Sequence, residues 1–178
     1  MEIKEWVVLS YTLPREPSRS RVSVWRRLKK IGAINLQQSI WLLPYGEKNL
    51  EQFNEIKENI FKENGEALVM VAKADAQNKE FIIKKFNDAR NEEYKELIEQ
   101  CEDFFAEIDK EIKRENFSFA EIEENEEELN KLKEWYEKIK DRDVFFAPLR
   151  DEAKGLIKKC EEDLERFCDK VYEFTEKF

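Results

Sequence analysis

The sequence has no histidine and little glycine or proline. Its 178 residues include 4 Gly, 4 Pro and 3 Cys. The lack of histidine excludes catalysis by an imidazole group and most transition-metal sites. Few glycines and prolines predict long regular elements. Cys101, Cys160 and Cys168 have no CxxC spacing and fall on the apolar stripes of predicted helices, so we expect them to be core thiols rather than metal ligands.

Long hydrophobic runs are also missing. No run of about 18 apolar residues occurs, so we predict no membrane span. The N-terminus has no basic region followed by an apolar one, which predicts the absence of a secretory signal and a cytoplasmic protein with reduced cysteines. Apolar residues make up 41% of the chain and aromatic residues 12%, which is enough for a folded core although 41% of the residues are charged.

Positive charge is concentrated in one short segment. Residues 11–44 read YTLPREPSRSRVSVWRRLKKIGAINLQQSIWLLP and hold seven Lys or Arg against a single acid, Glu16. The whole chain has a net charge of −9. A dense basic element on an acidic protein is typical of a surface that binds a polyanion, most often nucleic acid.

The basic segment predicts an amphipathic helix that Ser18 caps and Gly32 ends. Helical spacing places an apolar set on one half, which must be buried: Val22, Val24, Trp25, Leu28 and Ile31. We expect Trp25 and Trp41 to anchor the core. Arg21 falls within the apolar half, so we expect it at a frayed first turn or paired with an acid. The opposite half is basic, and the residues that we predict to bind DNA are Arg15, Arg19, Arg26, Arg27 and Lys30.

The first 75 residues predict an α+β domain with a ferredoxin-like βαββαβ order. Its antiparallel sheet would carry both helices on one face. The predicted elements are strand 5–13, helix 18–31, strands 33–37 and 39–43, helix 49–64 and strand 67–74.

Residues 76–178 predict a second, all-helical region. Apolar residues recur at three- and four-residue steps over a helix of some forty residues. Ser118 and Glu121 form a capping box that opens a second helix, and a third apolar stripe runs from Leu149 to Phe178. These stripes favour a long-helix antiparallel bundle or hairpin.

Three segments resemble the N-terminal domain of the chromate resistance protein ChrB. The most specific is the basic segment, extended to SYTLPREPSRSRVSVWRRLKKIGAINLQQSIWLLP. The segments FNDARNEEY at Phe86–Tyr94 and ELNKLKEWYEKIKDRDVF at Glu128–Phe145 are similar too. The resemblance implies a chromate-responsive transcriptional regulator that binds DNA.

The resemblance does not by itself predict a chromate site in this sequence. Longer members of the family carry a further C-terminal domain that this sequence does not include. The basic helix is the one dense cationic cluster that the sequence reveals, and an oxyanion requires converging cationic donors. We therefore expect chromate to compete weakly for that helix, or to act through a separate partner.

The first half also resembles two more distant families. Its apolar strand followed by RxxVxxxLxxxG and QxSxW is similar to the central domain of the phenylacetate-pathway repressor PaaX. It is also similar to the small ferredoxin-like CRISPR-associated nuclease, whose first strand ends in Tyr-Asp and whose Asp holds a divalent metal. Here the corresponding residues are Tyr11 and Thr12. Because a neutral hydroxyl does not replace a carboxylate ligand of a hard cation, we expect no metal, no cofactor and no enzymatic activity.

Three functions fit these observations. The favoured one is a DNA-binding regulator of chromate resistance, in which a homodimer would place two basic helices together. The net charge of −9 supports an alternative, a protein-interaction module that uses the helical region, because the field of the whole protein repels DNA. The third is a metal-dependent nuclease with a ferredoxin-like fold.

Overall fold

A computed structural model describes residues 5–177 and confirms the α+β class and the order of elements that the sequence predicts. Six elements form the ferredoxin-like part, and three long helices follow. In chain order they are β1 (Glu5–Thr12), α1 (Ser18–Lys30), β2 (Ile34–Gln37), β3 (Ile40–Pro44), α2 (Glu47–Lys62), β4 (Glu66–Lys73), α3 (Ala76–Arg114), α4 (Phe119–Arg142) and α5 (Arg150–Glu176).

The four strands form one antiparallel sheet in the order β2-β3-β1-β4. The apolar strand β1 lies inside the sheet and pairs with β3 on one side and with β4 on the other. Alternate side chains of a strand point to opposite faces. Val7 and Leu9, fully buried, therefore share one face of the sheet. This strand order matches the predicted ferredoxin-like arrangement.

One apolar core joins this face of the sheet to both α1 and α2. Val7 and Leu9 of β1 belong to the same buried cluster as Leu28 of α1 and Phe53 of α2. Trp41 of β3 also belongs to it and is 4% exposed, which confirms the prediction that Trp41 is a core residue. The two helices therefore cover one face of the sheet, as predicted.

Helix α1 buries a narrower stripe than the sequence suggests. Val24 and Leu28 are buried, but Trp25 is 49% exposed and Val22 is 42% exposed. The prediction that Trp25 anchors the core is therefore wrong. Successive residues of a helix are about 100° apart, so a stripe that contains Val24 and Leu28 turns Trp25 to the rim.

The ends of α1 are partly as predicted. Ser18 is the first helical residue rather than the cap, and Pro17 occupies the cap position without a side-chain hydrogen bond. Proline suits the start of a helix because its φ is fixed and it has no N–H group to leave unpaired. Gly32 follows the helix with φ of 83°, a left-handed conformation that glycine adopts without strain, which confirms its role in ending the helix.

The chain divides into two compact units, the first ending at Phe86 and the second beginning at Asn87. The first residues of α3 belong to the first unit, where Phe86 stacks on Trp6 with ring centroids 5.7 Å apart. In the second unit, α3, α4 and α5 enclose a core that contains Leu97, Leu132 and Phe167. Ser118 caps α4 by accepting a hydrogen bond from the Glu121 amide, which confirms that half of the predicted capping box.

None of the helices between Glu5 and Lys177 combines the length and the apolarity that a membrane crossing requires.

The positions of Leu28 and Trp25 lead to a stability prediction. Leu28→Ala removes a fully buried side chain from the core of the first unit. It should lower the free energy of unfolding by about 2–5 kcal/mol. Trp25→Ala removes a larger but half-exposed side chain and should cost about 1 kcal/mol or less. Urea unfolding followed by circular dichroism measures both changes, and a larger loss for the Trp25 variant would contradict the placement of this ring.

Candidate nucleic-acid interface

The outward face of α1 carries several exposed basic side chains and no acid. The buried stripe of Val24 and Leu28 fixes the rotation of the helix and turns its cationic side chains towards solvent. Helix α1 contains no acidic residue. We call its exposed cations the basic face: Arg19, Arg21, Arg26, Lys29 and Lys30.

Most of the predicted DNA-binding residues are available for a ligand. Arg19, Arg26 and Lys30 belong to the basic face, and Arg15 is exposed just before the helix. Among residues 5–177, none of these four forms an ion pair. Arg19, Arg26 and Lys30 lie seven and four residues apart, which places them on one side of the helix. Their charge is therefore uncompensated locally.

Arg27 differs from the other predicted residues. It lies at the edge of the buried stripe, and its guanidinium forms an ion pair with Glu55 of α2. A second polar contact is a hydrogen bond of 2.5 Å that the Ser20 hydroxyl donates to Glu63, the residue that follows α2. The acids of α2 and its C-terminal end thus meet the inner edge of α1, and Arg27 contributes to holding the helices together.

The sequence interpretation missed an aromatic component of this surface. Trp25 lies exposed among the cations, and Lys29 Nζ is 5.8 Å from the centre of its ring. Exposed aromatic rings next to cations are common where proteins stack on bases or sugars. The i to i+4 spacing of Arg21, Trp25 and Lys29 places them on one side of the helix and was the available indication.

Arg21 and Lys29 complete the basic face. Arg21 is exposed in the first turn of α1, one of the two places that the sequence predicts for it, because the buried stripe is narrow. Lys29 lies in the last turn of α1 together with Arg27 and Lys30. Cations at this end interact favourably with the helix dipole, so these residues also stabilise the helix.

The cysteines lie where the sequence predicts. Cys101 and Cys160 are fully buried in the core of the second unit, and Cys168 is partly buried against it. A hydrogen bond to Cys101, together with burial, raises the pKa of the Cys160 thiol. Burial also raises the pKa of Cys168. Because the thiolate is the reactive form, these two shifts make Cys160 and Cys168 poor nucleophiles.

The end of β1 pairs with the start of β4. Thr12 is exposed, and its partner in the sheet register is Glu66 of β4. Within residues 5–177, no three His, Cys, Asp or Glu side chains are grouped so that they could hold a metal ion.

Comparison with known proteins identifies the family. The family model described as "Protein ChrB, N-terminal" matches residues 21–178, which include most of α1 and the whole helical unit. No curated protein and no solved structure matches the chain. The more distant similarities to the PaaX repressor and to the CRISPR-associated nuclease therefore stay predictions. The chain belongs to the ChrB N-terminal family and is a regulatory protein related to chromate resistance.

Proposed function

We propose that this protein binds DNA through the basic face of α1 and acts in transcriptional control of chromate resistance. The observation that carries the proposal is a helix face with five exposed basic side chains and no acidic one among them. Cations that face a DNA backbone neutralise phosphates and release condensed counterions, which supplies most of the non-specific affinity. The basic face would therefore position the protein on the duplex, and base contacts from other elements would supply sequence preference.

A purely solvated face is the simpler alternative. Solvated surfaces usually mix the two signs of charge, because neighbouring like charges repel. Acids are available next to α1, but Glu55 and Glu63 contact its inner edge and leave the outer cations unpaired. This separation of charge supports a ligand of opposite sign on the outer face.

The net negative charge of the whole chain limits how DNA could approach α1. The chain as a whole carries −9, so a duplex would have to approach α1 while the acidic helices stay distant. We propose a homodimer as the arrangement that presents two basic helices and doubles the local positive charge. The protein-interaction role of α3, α4 and α5 remains an alternative prediction.

Removing the exposed charges tests the proposal. The variant Arg15→Ala, Arg19→Ala, Arg26→Ala, Lys30→Ala should bind every duplex more weakly than the parent. The logarithm of the parent's affinity should fall with the logarithm of salt concentration by about 0.9 for each phosphate neutralised, and the variant's slope should be shallower. Fluorescence anisotropy with labelled duplexes at several salt concentrations measures both quantities.

The second unit offers a matched control. Lys154, Lys158, Lys159 and Lys170 are exposed on α5, and replacing all four with Ala removes the same charge from another surface. This control should retain the parent's salt slope. Equal loss of binding by the two quadruple variants would mean that net charge alone governs the affinity and would contradict a site on α1.

The pair formed by Arg27 and Glu55 yields a prediction of opposite sign. Glu55→Gln removes the carboxylate that neutralises Arg27 and should free this guanidinium for an additional phosphate. The affinity should rise, and the salt slope should steepen by up to about 0.9. Exposed ion pairs contribute about 1 kcal/mol or less, so the variant should stay folded. Unchanged affinity in the anisotropy assay would place Arg27 outside the interface.

We also propose that the protein is not a nuclease. Thr12 lacks the carboxylate that a hard divalent cation requires, and Glu66 is the acid beside it in the sheet. Labelled single- and double-stranded DNA and RNA should remain intact after incubation with Mg²⁺ or Mn²⁺. Cleavage by the parent that Glu66→Gln abolishes would contradict this proposal and would assign the end of β1 a catalytic role.

A further inference from the structure

The two edges of the sheet differ in how well they are protected. Strand β2, at one edge, is four residues long, and its pairing with β3 shifts register between Asn35 and Gln37. Strand β4, at the other edge, is eight residues long and pairs with β1 in an unbroken register. Within residues 5–177, the outer edge of β4 has no partner strand. Because short length and irregular pairing discourage a further strand, β2 is a protected edge and β4 is an open one.

The sequence of β4 does not protect this edge either. Strand β4 reads EALVMVAK, and its two charged residues, Glu66 and Lys73, lie at its ends. Natural edge strands often carry a charge or a proline, which prevents pairing with another chain. The central part of β4 has neither, and its valines favour an extended strand. The unpaired N–H and C=O groups of β4 are therefore available to a further strand.

Large apolar side chains are exposed on both faces of β4. Val71 is 45% exposed, and it lies on the helix-covered face because its register partner is the core residue Val7. Leu68 is 56% exposed and Met70 is 42% exposed, and the alternation of a strand places both on the opposite face. Exposed apolar side chains beside unpaired backbone groups are typical of a surface that another strand covers.

We propose that β4 pairs antiparallel with β4 of a second copy of this chain, so that two four-stranded sheets join into one. The charges at the ends of the strand favour this occupant and this direction. An antiparallel arrangement brings Glu66 to the end of the strand that carries the partner's Lys73. A parallel arrangement would place like charges side by side, which is destabilising. A second copy therefore matches β4 in its charges and in its apolar centre.

Two-fold symmetry restricts the register of this pair. The axis is perpendicular to the sheet, and residues that lie opposite each other point to the same face, so one residue must lie opposite itself. With Val69 opposite the partner's Val69, Leu68 lies opposite the partner's Met70, and Ala67 lies opposite the partner's Val71. This register gives each of the three exposed apolar side chains an apolar neighbour across the interface.

The same symmetry determines where the helices lie. A two-fold axis perpendicular to the sheet keeps both helix-covered faces on one side of the joined sheet. Both copies of α1 therefore lie on that side, as the homodimer in the proposed function requires. The inference rests on that homodimer and names its interface, but it does not rest on DNA binding by α1.

Size-exclusion chromatography with light scattering over a dilution series tests the interface. The parent should have twice the mass of one chain. The variant Leu68→Lys, Met70→Lys places lysines opposite each other at two symmetric positions, and its dimer dissociation constant should rise at least about tenfold. Because both side chains are exposed, the variant should keep the parent's circular dichroism spectrum. A dimeric double-lysine variant would overturn the proposal. A monomeric parent would also overturn it and would leave this edge to a strand of a different protein.

A change of one charge tests the register. In the variant Leu68→Lys, Met70→Glu, each new lysine lies opposite the partner's new glutamate, so the dimer should form again. A register with Met70 opposite the partner's Met70 would instead place two glutamates together and leave the variant monomeric. A monomeric lysine–glutamate variant would therefore overturn the proposed register.

Two further variants separate this interface from general effects of charge and from DNA binding. Phe119→Lys, Tyr172→Lys is the matched control, because it replaces two exposed apolar residues of the second unit. It should dimerise as the parent does, and a monomeric control would overturn the assignment to β4. The quadruple variant of α1 should also stay dimeric. Parent-like DNA binding by that dimeric variant would contradict the proposed DNA-binding role of α1 and leave the β4 interface intact.

Discussion

The packing of α1 against the sheet is the constraint on which the proposed interface depends. Val24 and Leu28 enter the core that β1, β3 and α2 share, and this contact fixes the rotation of α1 about its axis. A rotation of one residue, about 100°, would bury cations or expose the apolar stripe, and either change costs several kcal/mol. The basic face is therefore a consequence of apolar packing. The exposed basic side chains are oriented by this packing and not by contacts of their own.

The positions of the acidic residues near α1 determine which of its basic side chains are paired within the fold and which are not. Glu55 of α2 and Glu63, which follows α2, contact the inner edge of α1 through Arg27 and Ser20, so they support the helix without neutralising its outer face. The same helix thus carries one cation that pairs within the fold, Arg27, and others that stay exposed. Exposed Trp25 adds apolar area to this charged surface. Under the proposed function, the cations would contact phosphates and the exposed ring would stack on a base.

The helical unit shows a different use of charge. Its core is apolar along most of α3, α4 and α5, but five charged side chains lie near the start of this core: Arg90, Glu93, Arg142, Asp143 and Arg150. Removing charges from water is costly unless each finds partners. Asp143 has them, since the Tyr94 hydroxyl and the Ala147 amide both donate to it. Arg90 is 1% exposed, and its Nη2 lies 2.9 Å from Glu93 Oε1 in an ion pair.

The sequence alone determined the element order, the ferredoxin-like topology, the positions of the cysteines and the presence of a basic helix, because each depends on local periodicity or on a local excess of charge. It also identified Trp41 as a core residue, since a strand flanked by apolar neighbours is buried on both faces. The tertiary structure decided which cations of α1 are free, because Glu55 lies 28 residues from Arg27 in the chain. It placed Trp25 outside the core, since the width of a buried stripe is set by the surface against which it packs. Only the folded chain brought Arg90 to Arg142 and Arg150, because charges from three helices converge through packing and leave no periodic trace in the sequence.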